Sequence, residues 1–338
     1  MKRCISFLLL LCLATVATAQ NQIDKQGRRQ GKWLRTDKDG SKIFEGEFKD
    51  GLEVGTFTYY YSDGTVRLRN TFLVPGRYCA HEAYNRDGKL IARGFFNQKN
   101  RDSVWTFYNE EGRLLKLAGY RMGIKQGPHI VFDANGDTVE FTNWADNRRD
   151  GRWWKRIGKK GYITGHYKNG RMQGNVKEYD DEGRMVRDGN YVNGEKEGRY
   201  RYFDEKGVTV DEQWQNGALR ERKVRLTTAS GNEMIATYAI AYLYPRGRQT
   251  QVYRMDGSST RCEESIETLF DRIGAEQFVL LDAKARVVAN TVCIMGLTRD
   301  EEGREIVHLD PNPPFSVFPD EDCKKMITSL QRGEELDE

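Results

Sequence analysis

Histidine is scarce in this chain. The 338 residues hold four, His81, His129, His166 and His308. None stands at the short, paired Cys/His spacing that a zinc site needs, so no metal is expected. Phosphate-binding Gly loops, a dinucleotide fingerprint, a Gly-x-Ser-x-Gly elbow and a His-Glu-x-x-His pair are all missing. No cofactor is therefore expected, and the sequence reads as no enzyme. Charge of one sign is also lacking. The formal net charge of +4 falls to +2 once Lys2 and Arg3 are set aside with the leader described below. A chain so near neutrality is not a bulk binder of nucleic acid. Beyond the leader no apolar run approaches the roughly 20 residues a membrane helix needs, so the mature chain is not expected to span a membrane.

What is present begins with the N-terminus. Lys2 and Arg3 precede an apolar stretch from Phe7 to Leu13, and Ala17-Thr18-Ala19 supplies small residues at a cleavage point. This is the pattern of a signal peptide over residues 1–19, so export is expected. Cys12 lacks the small residue before it that lipid attachment requires.

Glycine is abundant, and its spacing carries more than its number. Gly31, Gly55, Cys79, Ser103, Gly127, Gly151, Gly174 and Gly198 open eight units at steps of 24 residues, once 23. A second glycine follows at Gly40, Gly64, Gly88, Gly112 and Gly136, then Gly161 (one place late), Gly183 and Gly207. An aromatic completes each unit: Phe48, Phe72, Phe96, Tyr120, Trp144, Tyr167, Tyr191 and Trp214. Pairs such as Asp39-Gly40 and Asp63-Gly64 favour tight turns, because glycine accepts positive φ. Alternation such as Lys42, Phe44, Gly46, Phe48 reads as a half-buried strand. Where a glycine stands two places before the aromatic, as at Gly46 and Gly94, it leaves a gap into which a neighbouring ring can lie. A second turn, as in Lys49-Asp50-Gly51 and Lys168-Asn169-Gly170, leads to the next unit. Each unit is thus one hairpin, too small to be stable alone, and stacking buries the rings. A propeller blade needs about 40 residues, more than this period supplies.

Gly151-Arg-Trp153, Gly165-His-Tyr167-Lys-Asn-Gly170 and Gly189-Asn-Tyr191-Val-Asn-Gly194 resemble the MORN repeat, in the variant form of bacterial exported proteins. The resemblance covers residues 25–220. It departs from the pattern at Cys79, His81 and Ser103, and at Val74-Pro75-Gly76. It implies an elongated single-layer array of hairpins used for protein–protein and sometimes lipid-surface contact, and a loosely defined antitoxin-like class.

Beyond residue 220 the beat stops. Residues 221–333 are expected to form a small α+β domain, followed by an acidic tail at 334–338. Residues 220–228 read as a linker or first strand, 234–244 and 251–255 as strands. Residues 262–273 read as a helix capped by Ser259 or Thr260. A hairpin is expected around Asp282-Ala-Lys-Ala, with 286–295 as its second strand. Pro311-Asn-Pro-Pro314 reads as a rigid connector, and Asp320 as the cap of a last helix over 321–331. The fold class is therefore mainly β, with about eight hairpin repeats and a small α+β domain.

Two features bear on function. Ten cations lie between Arg148 and Lys177 against the single acid Asp150. They are Arg148, Arg149, Arg152, Lys155, Arg156, Lys159, Lys160, Lys168, Arg171 and Lys177, with Trp153 and Trp154 among them. They make a candidate surface for anionic lipid, glycan or an acidic partner, or a solvated face that keeps strand edges apart. The mature chain also keeps Cys79, Cys262, Cys293 and Cys323. Export permits disulfides, with Cys262–Cys323 as one pairing, Cys293 or Cys79 as other partners, and free buried thiols as the remaining option. Cys323 near a helix start is the one nucleophile an enzyme reading could use, with His308 as partner. His81 and His129 fall in the slot that Trp33, Phe57, Trp105 and Trp153 hold elsewhere, and read as ring substitutes. Taken together, the expectation is an exported interaction protein in the periplasm or envelope of a Gram-negative bacterium, presenting its repeats to an envelope protein.

Overall fold

The computed structural model describes residues 20–282 and 286–332. The leader at 1–19, the acidic tail and the centre of the Asp282-Ala-Lys-Ala turn lie outside the described residues. The fold is mainly β, and its largest element is an antiparallel sheet of 21 strands. By internal contact the chain divides into two compact units, residues 1–153 and 154–338. The division falls within the strand Arg148–Ile157 and not at residue 220.

In the first unit five hairpins follow one another. Their strands are Arg29–Thr36 with Lys42–Lys49, Leu52–Tyr60 with Val66–Val74, Tyr78–Tyr84 with Leu90–Asn97, Asn100–Tyr108 with Leu114–Arg121, and Ile124–Phe132 with Thr138–Ala145. Apart from the turn at Pro75-Gly76, the turns linking one hairpin to the next are two-residue loops with both residues left-handed, as at Asp50-Gly51 (φ 53° and 83°). This matches the right-handed twist of the strands they join. Within a hairpin the turn is built differently. The Asp37 carboxylate accepts the N–H groups of Asp39 and Ser41, both at 2.9 Å. Asn85, Asn109 and Asp133 do the same in later units. In these units the residue three places before the glycine shapes the turn; in the second unit, where that place is Tyr61, Asp63 beside the glycine accepts the Thr65 N–H at 2.9 Å.

The opening glycine of each unit sits at a bulge. Strand pairing runs Glu45↔Thr58 and then Glu47↔Val54, so Gly55 to Phe57 face Gly46 alone. The bulge turns Phe57 inward, and its ring fills the space over Gly46. A Cβ on Gly46 would come within 2.5 Å of that ring. Trp105 covers Gly94 in the same way, at 2.4 Å. The gap expected from the Gly-x-aromatic spacing is thus real, and the next unit's ring fills it. Rings then meet edge to face along the unit, Phe48 to Phe57 at 5.0 Å and Phe96 to Trp105 at 4.9 Å. Phe57 is 1% exposed, and burying such a side chain contributes roughly 2–3 kcal/mol.

Cys79 is the exception among the eight openers. It alone lacks a positive φ, whereas Ser103 adopts φ 58° and keeps the bulge. The pairing runs without a shift from Asn70↔His81 to Phe72↔Cys79, and its irregularity comes only beyond, between Phe72 and Val74. The residues that a bulge uses elsewhere go instead into the linking turn, where Pro75 and Gly76 follow Val74 and the Arg77 N–H closes on the Val74 carbonyl at 3.0 Å. Proline followed by a glycine at φ 61° is the arrangement a type II turn favours.

In the second unit the repeats continue through Gly174–Tyr179 with Met185–Val192 and Gly198–Asp204 with Gly207–Gln215. Tyr200 covers Gly189, where a Cβ would meet its ring at 2.0 Å. The array does not end at 220. Strand Ala218–Thr228 pairs back onto Gly207–Gln215 and forward onto Gly231–Ala236. This ninth hairpin lacks the opening glycine, Arg222 standing in its place, but keeps the turn glycine, Gly231, 24 residues after Gly207, and the apolar alternation Val224, Leu226.

The C-terminal region adds a five-stranded sheet ordered Ser259–Cys262, Gln249–Arg254, Ile240–Arg246, Val287–Asn290, Phe278–Asp282, and a two-stranded sheet, Ile294–Arg299 with Glu305–Leu309. Helix α1 spans Ile266–Ile273 and helix α2 spans Glu321–Arg332. Three expectations change. The strand foreseen over 234–244 breaks at a 3-10 turn, Thr237–Ala239. That foreseen over 286–295 breaks at Thr291–Cys293. The first helix starts at Ile266 with Ser265 as cap, its Oγ accepting the Thr268 N–H at 3.3 Å, because Ser259–Cys262 pairs as a strand with Gln249–Arg254. Asp320 does cap α2, accepting the Cys323 N–H at 2.9 Å. One core joins Val224, Leu226 and Ile235 of the repeat sheet to Leu243, Leu269 and Phe278, so this region closes over the end of the array. A polar network ties the same joint. Arg225, 3% exposed, pairs with Asp204, and Arg272 donates to Glu264 at 3.0 Å. Glu264 in turn accepts the Thr227 N–H at 3.0 Å.

Candidate functional site

The basic run is divided between the two units. In the first unit Arg148 and Arg152 are exposed, while Arg149 is half-buried with its guanidinium 6.0 Å over the Trp144 ring. Trp153 is half-buried and closes that unit. In the second unit Lys155, Lys159, Lys160, Lys168, Arg171 and Lys177 are exposed, and Trp154 and Arg156 are half-buried. Lys177 lies opposite Asp188 in the strand pairing.

The turn that carries Lys159 and Lys160 is built on a borrowed group. Ile157 stands where other units have the turn-shaping Asp or Asn. Asp181, from the turn of the next repeat, supplies the missing carboxylate. Its Oδ1 accepts the N–H groups of Lys159, Lys160 and Gly161 at 3.0, 2.7 and 2.8 Å. These backbone hydrogen bonds hold the Asp181 carboxyl below its usual range. The left-handed glycine here is Gly158, at φ 64°. Gly161 was expected to fill that role one place late. It is instead buried against the chain, where a Cβ would meet the Tyr179 carbonyl oxygen at 2.7 Å. The two lysine side chains project from a fixed loop. Neither Asp181 nor Gly158 stood out in sequence, although Ile157 in the Asp/Asn slot was a legible signal.

A second pattern became visible only in the structure. In five of the eight units the residue two places before the opener is a cation over the rings. Arg29 lies 4.9 Å from the Trp33 centroid, Arg101 4.7 Å from Trp105, Lys125 4.2 Å from Trp144, and Lys196 4.1 Å from Trp214, and Arg149 is the fifth. Aligning the units on this slot would have shown it.

The thiols and the ring-slot histidines lie in the packing, whereas His166 and His308 are exposed. Among the described residues the four cysteines, Cys79, Cys262, Cys293 and Cys323, are buried free thiols. The Cys262–Cys323 pairing is not formed, since Cys262 belongs to the core over the array end and Cys323 to a separate core with Leu281 and Ile327. Cys262 also ends a strand and does not open a helix. Burial pushes the Cys262 thiol up to about 12, and those of Cys293 and Cys323 up to about 11. Cys323 donates to the Leu280 carbonyl at 2.9 Å, and His308 is exposed on its strand. His81 and His129 take the ring slots. His81 packs 4.9 Å from Phe96, its Nδ1 is 2.7 Å from Asn70 Oδ1, and burial lowers its pKa to about 4. His129 Nε2 lies 3.1 Å from the Gly119 carbonyl oxygen. Among the described residues no group of three His, Cys, Asp or Glu could hold a metal ion. No helix among them is long and apolar enough to cross a membrane.

At the irregular third repeat a cavity of about 240 Å³ opens on the ring side. Its lining includes Phe72, Cys79 and Phe96 at the floor, with Glu53, Arg77 and Lys99 around it. The polar pocket at the array end, about 200 Å³, is lined by Arg222, Tyr238 and Glu276 among others, and Arg222 there donates to the Ile273 carbonyl at 2.9 Å.

No protein-family model and no curated protein matches the chain. Among solved structures it is similar to the LytTr DNA-binding domain of a methyl-accepting/DNA response regulator from Bacillus cereus, at 15% identity over 33% of this chain and 94% of that one. The TM-score is 0.25, too low to carry an argument about fold or function.

Proposed function

We propose that this is an exported, non-catalytic interaction protein whose MORN-like hairpins present a β surface to a protein partner in the envelope of a Gram-negative bacterium. One observation carries the reading. The buried slots repeat from unit to unit, while the exposed slots change freely. Position 56 is Thr, and the equivalent places hold Val104, Pro128 and Arg199. A constant scaffold with variable exterior is how repeat proteins make a specific surface. The thiols and the ring-slot histidines belong to the scaffold, and this favours binding over turnover.

Affinity capture from envelope fractions with the full chain tests the reading. A stoichiometric envelope protein is expected, retained at moderate salt. Recovery of the bait alone under mild crosslinking would sink it. Were the captured protein a toxin silenced by the chain, the antitoxin-like form of the reading would follow. A second reading rests on the fixed loop that carries the exposed Lys159 and Lys160, with the exposed Lys155 and Arg171 elsewhere on the same unit. It makes this segment of the second unit a contact for anionic lipid or glycan. Binding to phosphatidylglycerol vesicles should fall several-fold between 50 and 300 mM salt, and fall again on neutralising those four cations. Vesicle binding that ignores both changes rules the second reading out.

A further inference from the structure

We infer that the third repeat holds a binding site for a small zwitterion, a free α-amino acid with an apolar side chain. The inference stands apart from the partner reading, and neither depends on the other.

The argument starts from what fills this place elsewhere. In five repeats a built-in cation lies over the rings from the slot two residues before the opener, as Arg29 and Arg101 do. The seventh has the uncharged Met172 there, and the second and third break the rule in succession. Glu53 occupies the slot in the second and has the opposite charge. Arg77 occupies it in the third, but without the bulge at Cys79 its guanidinium is over no ring. The faces of Phe72 and Phe96 are left without their cover, and the cavity of about 240 Å³ is the result.

The cavity carries charge of both signs. Glu53, Arg77 and Lys99 all line it, and each comes from a different linking region of the array. Among the described residues, none of the three side chains makes a hydrogen bond or an ion pair. The Glu53 carboxylate lies within reach of Gly76, its Oε2 3.5 Å from where a Cβ there would stand. A lone organic cation would meet Arg77 and Lys99, and a lone anion would meet Glu53. A molecule with an ammonium and a carboxylate a few ångströms apart satisfies both, the ammonium on Glu53 and the carboxylate on Arg77 and Lys99. The ring floor then takes an apolar side chain. The volume is below the roughly 300–1,000 Å³ of drug-sized sites and suits a ligand of amino-acid size.

Calorimetry on the full chain tests this, with L-leucine and L-phenylalanine as probes. Isoamylamine, 4-methylpentanoate and N-acetyl-L-leucine amide serve as controls that lack one charge or both. Saturable binding of an amino acid is expected, with each control weaker by about tenfold or more. Glu53→Gln and Arg77→Gln should each weaken amino-acid binding by a similar factor at an unchanged melting temperature. Amide shift changes in the unaltered protein should centre on Glu53, Arg77 and Lys99, which keeps the test open if either variant fails to fold. The proposal is overturned if neither amino acid binds, if isoamylamine or 4-methylpentanoate binds as tightly, or if the shifts fall elsewhere.

Discussion

A single hydrogen in place of a methyl group decides the packing at Gly46. The Phe57 ring lies where a Cβ would be, so the glycine is required by contact and not by backbone angle. Gly46→Ala should destabilise the first unit by about 1–3 kcal/mol through overpacking. Gly64→Ala should act differently. Gly64 has open space around it and φ 85°, so its replacement strains the backbone by about 1 kcal/mol without touching a ring. Denaturant unfolding separates the two, because adding Phe57→Leu should relieve part of the Gly46→Ala defect and none of the other. Equal effects of Phe57→Leu in both backgrounds would show that the ring does not fill the gap. This much was legible in the sequence, since a glycine two places before an aromatic recurred in step with the ring slot. The turn-shaping Asp37 and its equivalents were less visible. Their carboxylates act on N–H groups two and four residues onward, and a reading fixed on the Asp-Gly dipeptide passes over them.

At the level of the element, the sixth repeat shows how a unit survives losing its own turn residue. Ile157 cannot accept the loop's N–H groups, and Asp181 does so from the neighbouring turn. Asp181→Ala should leave the strands in place while the amides of Lys159, Lys160 and Gly161 exchange much faster. Hydrogen exchange at those amides is the measurement, and unchanged protection would remove Asp181 from this role. The linking turns were plain in the sequence because Asp-Gly and Asn-Gly pairs specify both left-handed residues. The start of α1 was not. Glu263 and Glu264 resemble the acidic first turn of a helix, yet Glu264 is committed to Thr227 and Arg272 across the joint. Only the tertiary contact reveals that the helix begins later, at Ser265. The cavity of the third repeat was half legible, as the loss of glycine at Cys79 marked the place. Its charged rim was not, because Glu53, Arg77 and Lys99 lie far apart in the chain until the hairpins bring them together.

For the molecule as a whole, acid should act on the two units in different ranges. His81 in the first unit is half-buried, and loss of solvent brings its pKa from 6.5 down to about 4. Burial lowers that of His129 as well. The unfolded chain therefore takes up protons near pH 6.5 that the folded unit refuses. The stability these residues contribute is full above that value and is lost as the pH falls toward about 4. In the second unit the Arg225 ion pair holds Asp204 below its ordinary 3.8. Burial would raise Glu264, but its bonds to Thr227 and the Arg272 contact outweigh this and hold it below 4.5. Their contribution is complete above those ordinary values and is lost only as the pH falls below them. Between pH 7 and pH 5, exchange around Asn70, His81 and Phe96 should quicken while that around Arg225 and Glu264 stays steady. His81→Phe should flatten the first response. A response that persists unchanged in that variant would place its origin elsewhere.

The turn at Pro75-Gly76 has one more consequence. The third repeat moves residues from a bulge to a turn without changing the length of the unit. It moves them as a pair, and only an even number could be moved. Successive side chains of a strand point to opposite faces, so a shift by one would send His81, and with it Cys79 and Ala83, out of the ring layer. The array thus behaves like a reading frame. Its glycines and aromatics are words that can be respelled one unit at a time, but the count between them must keep its parity or the text beyond turns inside out.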